Sequence, residues 1–255
     1  MKQKKNGHLI VLFVIIVSSI LLSSIAKQDE GIPLKDYQIT FKFLHKLGDE
    51  PVEFDTIKYV NTFGNKYSVA TLKYFISNIT LHKADGKSFL FDEDHYVDAL
   101  DNSTISYTPI EMVPEGAYSQ ISFVFGLEAD KNKTGRFVNP PKNRMEWPEG
   151  MGGGYHFMKL EGKYDSGKLI KSFQAHSGPL DGRPYYFYVT LKGSSFTIDG
   201  KDKEIEIIMD INKWWINPHT LDLNNITSIM GNHSVQQQLK ENGADVFSVG
   251  SINNH

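Results

Sequence analysis

The sequence contains no cysteine, and this absence excludes several kinds of site. Disulfide bonds, thiolate metal centres and a lipid-anchored cysteine after a signal sequence cannot be formed. An excess of positive charge is also missing, since 27 Lys and Arg face 30 Asp and Glu and the formal net charge is −3. A chain of this charge has no electrostatic basis for binding the phosphate backbone, so we expect no nucleic-acid partner.

Recognisable catalytic motifs are missing as well. No Gly-x-Ser-x-Gly elbow is present to anchor a hydrolase triad. The glycine run at residues 152–154 matches neither a dinucleotide fingerprint nor a phosphate loop. We therefore expect that the protein is not an enzyme in its own right.

The first 26 residues have the pattern of a signal peptide. Three lysines precede an apolar run from Leu9 to Leu22, and small residues at Ser24 and Ala26 follow it. The run is shorter than the about 20 residues that a spanning helix needs. We expect residues 1–26 to be cleaved, residues 27–34 to form a linker, and the protein to be periplasmic or secreted. Its only membrane contact would be an uncleaved signal segment. Cleavage would change the formal net charge from −3 to −6.

From residue 35 onwards the chain has the pattern of short strands separated by turns. Ile39, Phe41, Phe43 and His45 alternate with other residues, which is the period of a strand with one buried face. Tyr185 to Leu191 is apolar, β-branched or aromatic on both faces. Many short strands with frequent turns predict an all-β protein. We expect one antiparallel β-sandwich over residues 35–250.

Two segments depart from the strand pattern. Residues 130–154 are rich in Lys, Asn, Pro and Gly and have no periodicity, so they predict a long inserted loop, and loops of this length are usually functional or disordered. Ser234 to Asn242 predicts a short C-terminal helix. Ser234 and Gln237 would form its capping box, and Gly243 would end it.

Three histidines are candidates for a metal site. His45 shares a strand face with buried-type residues, so its ring should point toward the core; a histidine in such a place is more often structural than a ligand. His176 lies at the end of a predicted strand, before a Ser-Gly-Pro turn. Its side chain could line a site at the rim of the sandwich or lie on the surface. His156 lies in a predicted strand that begins at Tyr155 and runs to Gly162, where it shares a face with Met158 and Leu160 and could be a core-edge residue.

These imidazoles, with several methionines and no thiol, favour a soft or borderline metal, above all Cu(I). No closely spaced His-x-x-x-His pair supports the assignment. Trp147 stands between Glu146 and Pro148 in the polar loop, where a large aromatic side chain is costly unless it packs or has a function. It could simply fold back as a lid on the sandwich.

Several segments of the chain match a known family. The most specific are Met145-Glu-Trp-Pro148 and Gly154-Tyr-His-Phe-Met-Lys-Leu-Glu-Gly162. The other matching segments, in chain order, are 41–51, 59–69, 72–81, 176–178 and 246–249. In these segments the chain resembles the MbnP-like copper-binding family associated with methanobactin operons. The resemblance covers nearly the whole chain after the signal peptide.

This resemblance implies an exported β-sandwich that binds one copper ion as Cu(I) or Cu(II). In relatives, a tryptophan is converted to kynurenine by a partner di-haem oxidase of the MauG type, and Trp147 matches that position. The family's histidine positions match His45 and His176, with His156 as a further ligand candidate. Opening the indole ring would expose an aromatic amine beside the imidazoles.

Two alternatives remain besides copper storage, trafficking or sensing. One is a metal-free sandwich for surface interactions or carbohydrate binding, whose aromatic side chains would be exposed. The other is a copper-dependent redox enzyme. The copper hypothesis makes a geometric prediction: His45 and His176 should converge, with rings about 4 to 5 Å apart and Trp147 close by.

Overall fold

The computed structural model describes residues 35–226 and 229–255. The expected signal peptide and linker, residues 1–34, lie outside these described residues. No helix in the described part is both long and apolar enough to cross a membrane. The strands are β1 (Asp36–Tyr37), β2 (Ile39–Leu47), β3 (Glu50–Pro51), β4 (Tyr59–Val60), β5 (Lys66–Tyr67), β6 (Thr71–Lys83), β7 (Ser88–Asp98), β8 (Ser106–Tyr107), β9 (Val113–Pro114), β10 (Gly116–Phe125), β11 (Met158–Asp165), β12 (Ile170–Ser177), β13 (Phe187–Leu191), β14 (Phe196–Ile198), β15 (Lys203–Asp210) and β16 (Phe247–Asn254).

The described strands form two large sheets and one small one. The larger sheet has nine strands in the order β13-β10-β6-β11-β5-β4, with β7 paired to β6, β12 to β11 and β14 to β10. The smaller of the two large sheets has the order β16-β15-β2-β3, with β8 also paired to β2. Strands β1 and β9 form a separate pair. The expected all-β, mainly antiparallel sandwich is therefore confirmed.

The main core lies between the two large sheets. Strand β2 alternates buried and half-buried residues along its whole length, as its sequence pattern predicts. Its buried residues pack with Leu72 and Tyr74 of β6 and with Met158 and Leu160 of β11. One pairing departs from the antiparallel expectation, because β2 lies parallel to β15. This exception joins the beginning of the domain to its C-terminal part.

The nine-stranded sheet is covered on its outer face as well. Alternate residues of a strand point to opposite faces, so Phe75 of β6 faces away from the main core. It belongs to a second buried cluster, with Met145, Tyr155, Phe157 and Tyr185 among its members. Three of these come from the stretch between β10 and β11. The inserted loop thus packs as a layer on the sheet.

The loop has little regular structure, as expected. Two 3₁₀ helices, Lys142–Met145 and Glu149–Met151, are the helical turns in its described residues. Strand β11 begins at Met158 rather than at Tyr155, where the sequence pattern placed it. The difference of three residues leaves His156 before the strand, where the alternation of the sheet no longer decides its direction.

The C-terminal helix, α1 (His233–Asn242), is also confirmed and ends at Asn242 as expected, but it begins one residue earlier and has a different N-cap. Asn232 is the N-cap, and its side chain accepts hydrogen bonds from the backbone N–H groups of Ser234 and Val235. Gly243 has a right-handed backbone, so it is not a left-handed helix stop. A Cβ there would lie 2.1 Å from the ring of Phe187, so close packing requires glycine. Strand β16 runs to Asn254, past the expected boundary at residue 250.

Candidate functional site

Trp147 and His156 are neighbours because the loop folds back on itself. The N–H of Trp147 donates to the carbonyl of Gly154 at 2.8 Å, and the N–H of His156 donates to that of Met145 at 2.6 Å. Between these bonds, Glu146 and Tyr155 form an isolated antiparallel bridge. This short ladder sets the two side chains next to each other. Their ring centroids are 4.7 Å apart, with the planes at 71°.

Two glycines allow the return of the loop. Gly153 and Gly154 have φ values of 66° and 85°, in the left-handed region that side chains disfavour. A Cβ at Gly153 would also meet the hydroxyl of Thr134 at 2.7 Å, and one at Gly154 would meet the side chain of Asn132 at 2.7 Å. Asn132 fixes the turn by accepting from the N–H of Tyr155 at 2.8 Å. The glycine run therefore shapes the loop, consistent with the absence of a phosphate-binding motif.

His176 comes to the same place from strand β12. Its ring centroid lies 5.0 Å from that of His156, and the two planes are nearly perpendicular at 81°. The Nε2 atom is 2.6 Å from the carboxylate of Glu161 on the neighbouring strand β11. The Nδ1 atom is buried and has no hydrogen-bond partner among the described residues. The site is thus a row of three rings, Trp147, His156 and His176, on the outer face of the nine-stranded sheet.

Trp147 is packed tightly at one end of this row. It is only 2% exposed, and its Nε1 atom has no hydrogen-bond partner in the described part of the chain. The indole lies against Gly178, where a Cβ would come within 2.4 Å of a ring carbon. Gln236 of helix α1, fully buried, donates to the carbonyl of His176 at 2.8 Å and accepts from the N–H of Gly178 at 3.3 Å. The helix therefore holds the turn under the indole.

Burial favours the neutral form of both site histidines. Burial lowers the pKa of His156 to about 3, and burial also lowers the pKa of His176 although Glu161 opposes this shift. The Nδ1 of His156 is 2.9 Å from the carbonyl oxygen of Met145, and a carbonyl only accepts. Nδ1 must therefore carry the proton, which leaves the lone pair on Nε2. A neutral imidazole with a free lone pair is the form that binds metals.

His45 is not part of this group. It faces the main core, as its strand pattern predicts, and its Nε2 is 2.9 Å from the hydroxyl of Tyr74. Tyr74 is aligned with Met158 on the inner face of the sheet, whereas His176 is aligned with Lys159 on the outer face. The sheet therefore separates the two histidines. The predicted convergence of His45 with His176 is not found, whereas His176, His156 and Trp147 do come together.

Three residues that were not predicted from the sequence complete the surroundings of the row: Glu161, Gly178 and Gln236. The alternation of β11 could have indicated that Glu161 shares the outer face with Lys159. Within residues 35–226 and 229–255, no group of three or more His, Cys, Asp or Glu side chains is arranged to hold a metal ion. Two imidazoles and the tryptophan are the candidates that remain.

Comparison with known proteins supports the resemblance seen in the sequence. The family model described as MbnP matches residues 36–234 of the chain. The chain belongs to the MbnP family. The matched segment runs from β1 to the start of α1 and contains Trp147, His156 and His176.

A solved structure with the same fold is that of MbnP from Methylosinus trichosporium. The two chains superpose with a TM-score of 0.56 at 13% sequence identity, over 85% of this chain and 99% of the other. At this low sequence identity, the structural likeness shows a shared fold and nothing further. No curated protein sequence matches the chain.

Proposed function

We propose that the protein is an exported copper-binding protein that holds one copper ion with His156 and His176 beside Trp147. The observation that carries this proposal is the pair of neutral imidazoles, 5.0 Å apart, in which the Nδ1 of His176 is buried without a partner among the described residues. Leaving a buried polar atom unsatisfied costs about 1–3 kcal/mol. A metal bound to this nitrogen would offset that cost.

The donor set fits copper. Imidazole nitrogens suit copper in both oxidation states, and the chain offers no thiolate that would favour other soft-metal sites. The indole of Trp147 can only donate a hydrogen bond, so it is not itself a ligand. Its conversion to kynurenine, by a di-haem oxidase of the MauG type, would place an aromatic amine beside the two imidazoles as a third nitrogen donor.

The role we propose is copper storage, trafficking or sensing rather than catalysis. It is supported by the enclosed position of the site, since all three rings are buried between the loop and the sheet. Export to the periplasm or beyond the cell is supported by the pattern of residues 1–26. The alternative, a carbohydrate-binding platform, needs exposed aromatic rings, and Trp147 is 2% exposed. The burial of this ring favours the copper hypothesis.

The decisive experiment is a Cu(I) titration of the exported protein, purified and compared with single variants. We expect His156→Ala and His176→Ala to abolish tight binding. His45→Ala removes a buried histidine on the other face of the sheet and should leave binding unchanged. Trp147→Phe should weaken binding only if the tryptophan is normally converted, and intact mass measurement of the wild-type protein reports that conversion directly.

Equal loss of binding in His45→Ala and His176→Ala would contradict the assignment of ligands. A wild-type protein that takes up no copper, with its tryptophan either intact or converted, would refute the function. Export has a separate test: the mature protein should begin after Ala26. N-terminal sequencing that reads Met1 in the cell-extracted protein would contradict cleavage.

A further inference from the structure

Among the described residues, Glu161 is the charged side chain that hydrogen-bonds a candidate copper ligand. Its carboxylate lies 2.6 Å from the Nε2 of His176, and the two residues are diagonal neighbours on strands β11 and β12. We infer that Glu161 is a positioning residue, which fixes the tautomer of His176 so that Nδ1 is the nitrogen offered to copper. This inference rests on the proposed function, since it assigns how that site is prepared for the metal.

The tautomer follows from the chemistry of the two partners. An ionised carboxylate is only an acceptor, so the Nε2 of His176 must carry a proton and donate a hydrogen bond to it. A neutral imidazole carries a single N–H group, and Nδ1 is then left with its lone pair. Nδ1 is also the buried atom without a partner among the described residues. The hydrogen bond at Nε2 and the unpartnered Nδ1 therefore both indicate the same tautomer, with the proton on Nε2.

His156 is fixed in the opposite tautomer by a different acceptor. Its Nδ1 donates to the backbone carbonyl of Met145, which leaves Nε2 free. The two rings therefore offer different nitrogens, one selected by the backbone and the other by a side chain. A main-chain carbonyl cannot be removed by substitution. The hydrogen bond from His176 to Glu161 is therefore the one of the two that mutation can test.

The Glu161 carboxylate has no competing ion-pair partner among the described residues. Within the described residues, His176 is the ion-pair partner of Glu161, and the side chain of Glu161 is 30% exposed. Lys159 lies two residues away on the same face, but its Nζ donates to the carbonyl of Arg144 at 2.9 Å. A carboxylate behind a ligating imidazole orients the ring and raises its basicity, and its loss typically weakens metal affinity 10- to 100-fold.

The test compares Glu161→Ala and Glu161→Gln with a matched control, Glu204→Ala. Glu204 is also a half-buried strand glutamate, but it pairs with Lys42 in the other large sheet. Nitrogen-15 NMR of the copper-free proteins reads the tautomer of each histidine ring. Competition titration with a Cu(I) chelator reads the affinity, and circular dichroism confirms that each variant is folded.

In the wild-type protein we expect His176 to carry its proton on Nε2 and His156 on Nδ1. Glu161→Ala should release His176 into a mixture of tautomers and reduce Cu(I) affinity about 10- to 100-fold. Glu161→Gln retains a carbonyl oxygen that accepts from Nε2, so it should preserve the tautomer and lose less affinity. Glu204→Ala should change neither quantity.

The inference is overturned if His176 carries its proton on Nδ1 in the wild type, or if Glu161→Ala leaves the Nε2 tautomer unchanged. Both readings are made without copper. A wild-type protein that binds no Cu(I) would therefore refute the proposed function while the tautomer measurement still decides the role of Glu161.

Discussion

The contact between Gly178 and Trp147 makes a sharp prediction about the packing of the site. A Cβ added at residue 178 would lie 2.4, 2.7 and 2.8 Å from three carbons of the indole. Real Cβ contacts are not this close, so Gly178→Ala must displace either the buried ring or the turn beneath it. Neither can move freely, because Trp147 is 2% exposed and Gln236 ties the turn to helix α1.

The size of the effect follows from the cost of overpacking. Forcing an extra methyl group into a well-packed interior costs about 1–3 kcal/mol. For a domain of about 150–250 residues, each kcal/mol lowers the melting temperature by about 2–4 °C. Gly178→Ala should therefore lower the melting temperature by about 2 to 12 °C.

The measurement is thermal and urea unfolding followed by circular dichroism, with Gly150→Ala as the control. Gly150 lies in the inserted loop that carries Trp147, but a Cβ there would meet nothing within 4 Å. That control should change the free energy of unfolding by less than about 0.5 kcal/mol. In a Trp147→Phe background, the indole carbons closest to residue 178 are absent, and Gly178→Ala should cost less than it does alone. Equal stabilities of Gly178→Ala and Gly150→Ala would show that the described contact is wrong.

Three further predictions concern stability. Burial lowers the pKa of His45 and of His95 to about 4, below the ordinary value of 6.5, so the unfolded chain binds protons that the folded one excludes. The stabilisation that these neutral rings provide should be fully present above about pH 6.5. It should fall toward pH 4, by at most about 1.4 kcal/mol per pH unit for each ring. His95→Phe should therefore reduce the pH dependence of the free energy of unfolding, measured by urea unfolding at several pH values. Asn232→Ala should destabilise the protein by about 1 kcal/mol through loss of the helix cap, whereas a comparable cost for Ser234→Ala in chemical denaturation would mean that the cap is misassigned. Trp147→Ala should cost about 3–5 kcal/mol by emptying a buried space, and full stability of this variant would contradict its burial.

Patterns carried by neighbouring residues predicted much of the fold. The alternation in β2 predicted both the strand and the inward direction of His45, because strand periodicity is a local property. The position of the helix was also predicted, but its cap was placed two residues late. Asn232 and Ser234 are both good cap residues, so the local sequence alone does not choose between them.

The composition of the site depended on which face of which sheet each side chain occupies. The sequence pattern placed His156 on the same strand face as Met158. The strand begins only at Met158, however, and the backbone hydrogen bonds within the loop direct His156 toward Trp147. No sequence pattern shows that the nine-stranded sheet is covered on both faces. The sheet itself separates His45 from His176, and the face that each histidine occupies could be learned only from the way distant segments pair.

The parallel pairing of β2 with β15 has a consequence for how the protein acquires its structure. Residues 39–46 form their ladder with residues 203–210, so one of the first segments made must wait for one of the last. Contacts between such distant segments require closure of a long loop, which slows folding. Until that closure, the apolar face of β2 and its unpaired edge are available to other chains. We therefore expect this strand to be the part of the nascent protein most in need of protection from aggregation.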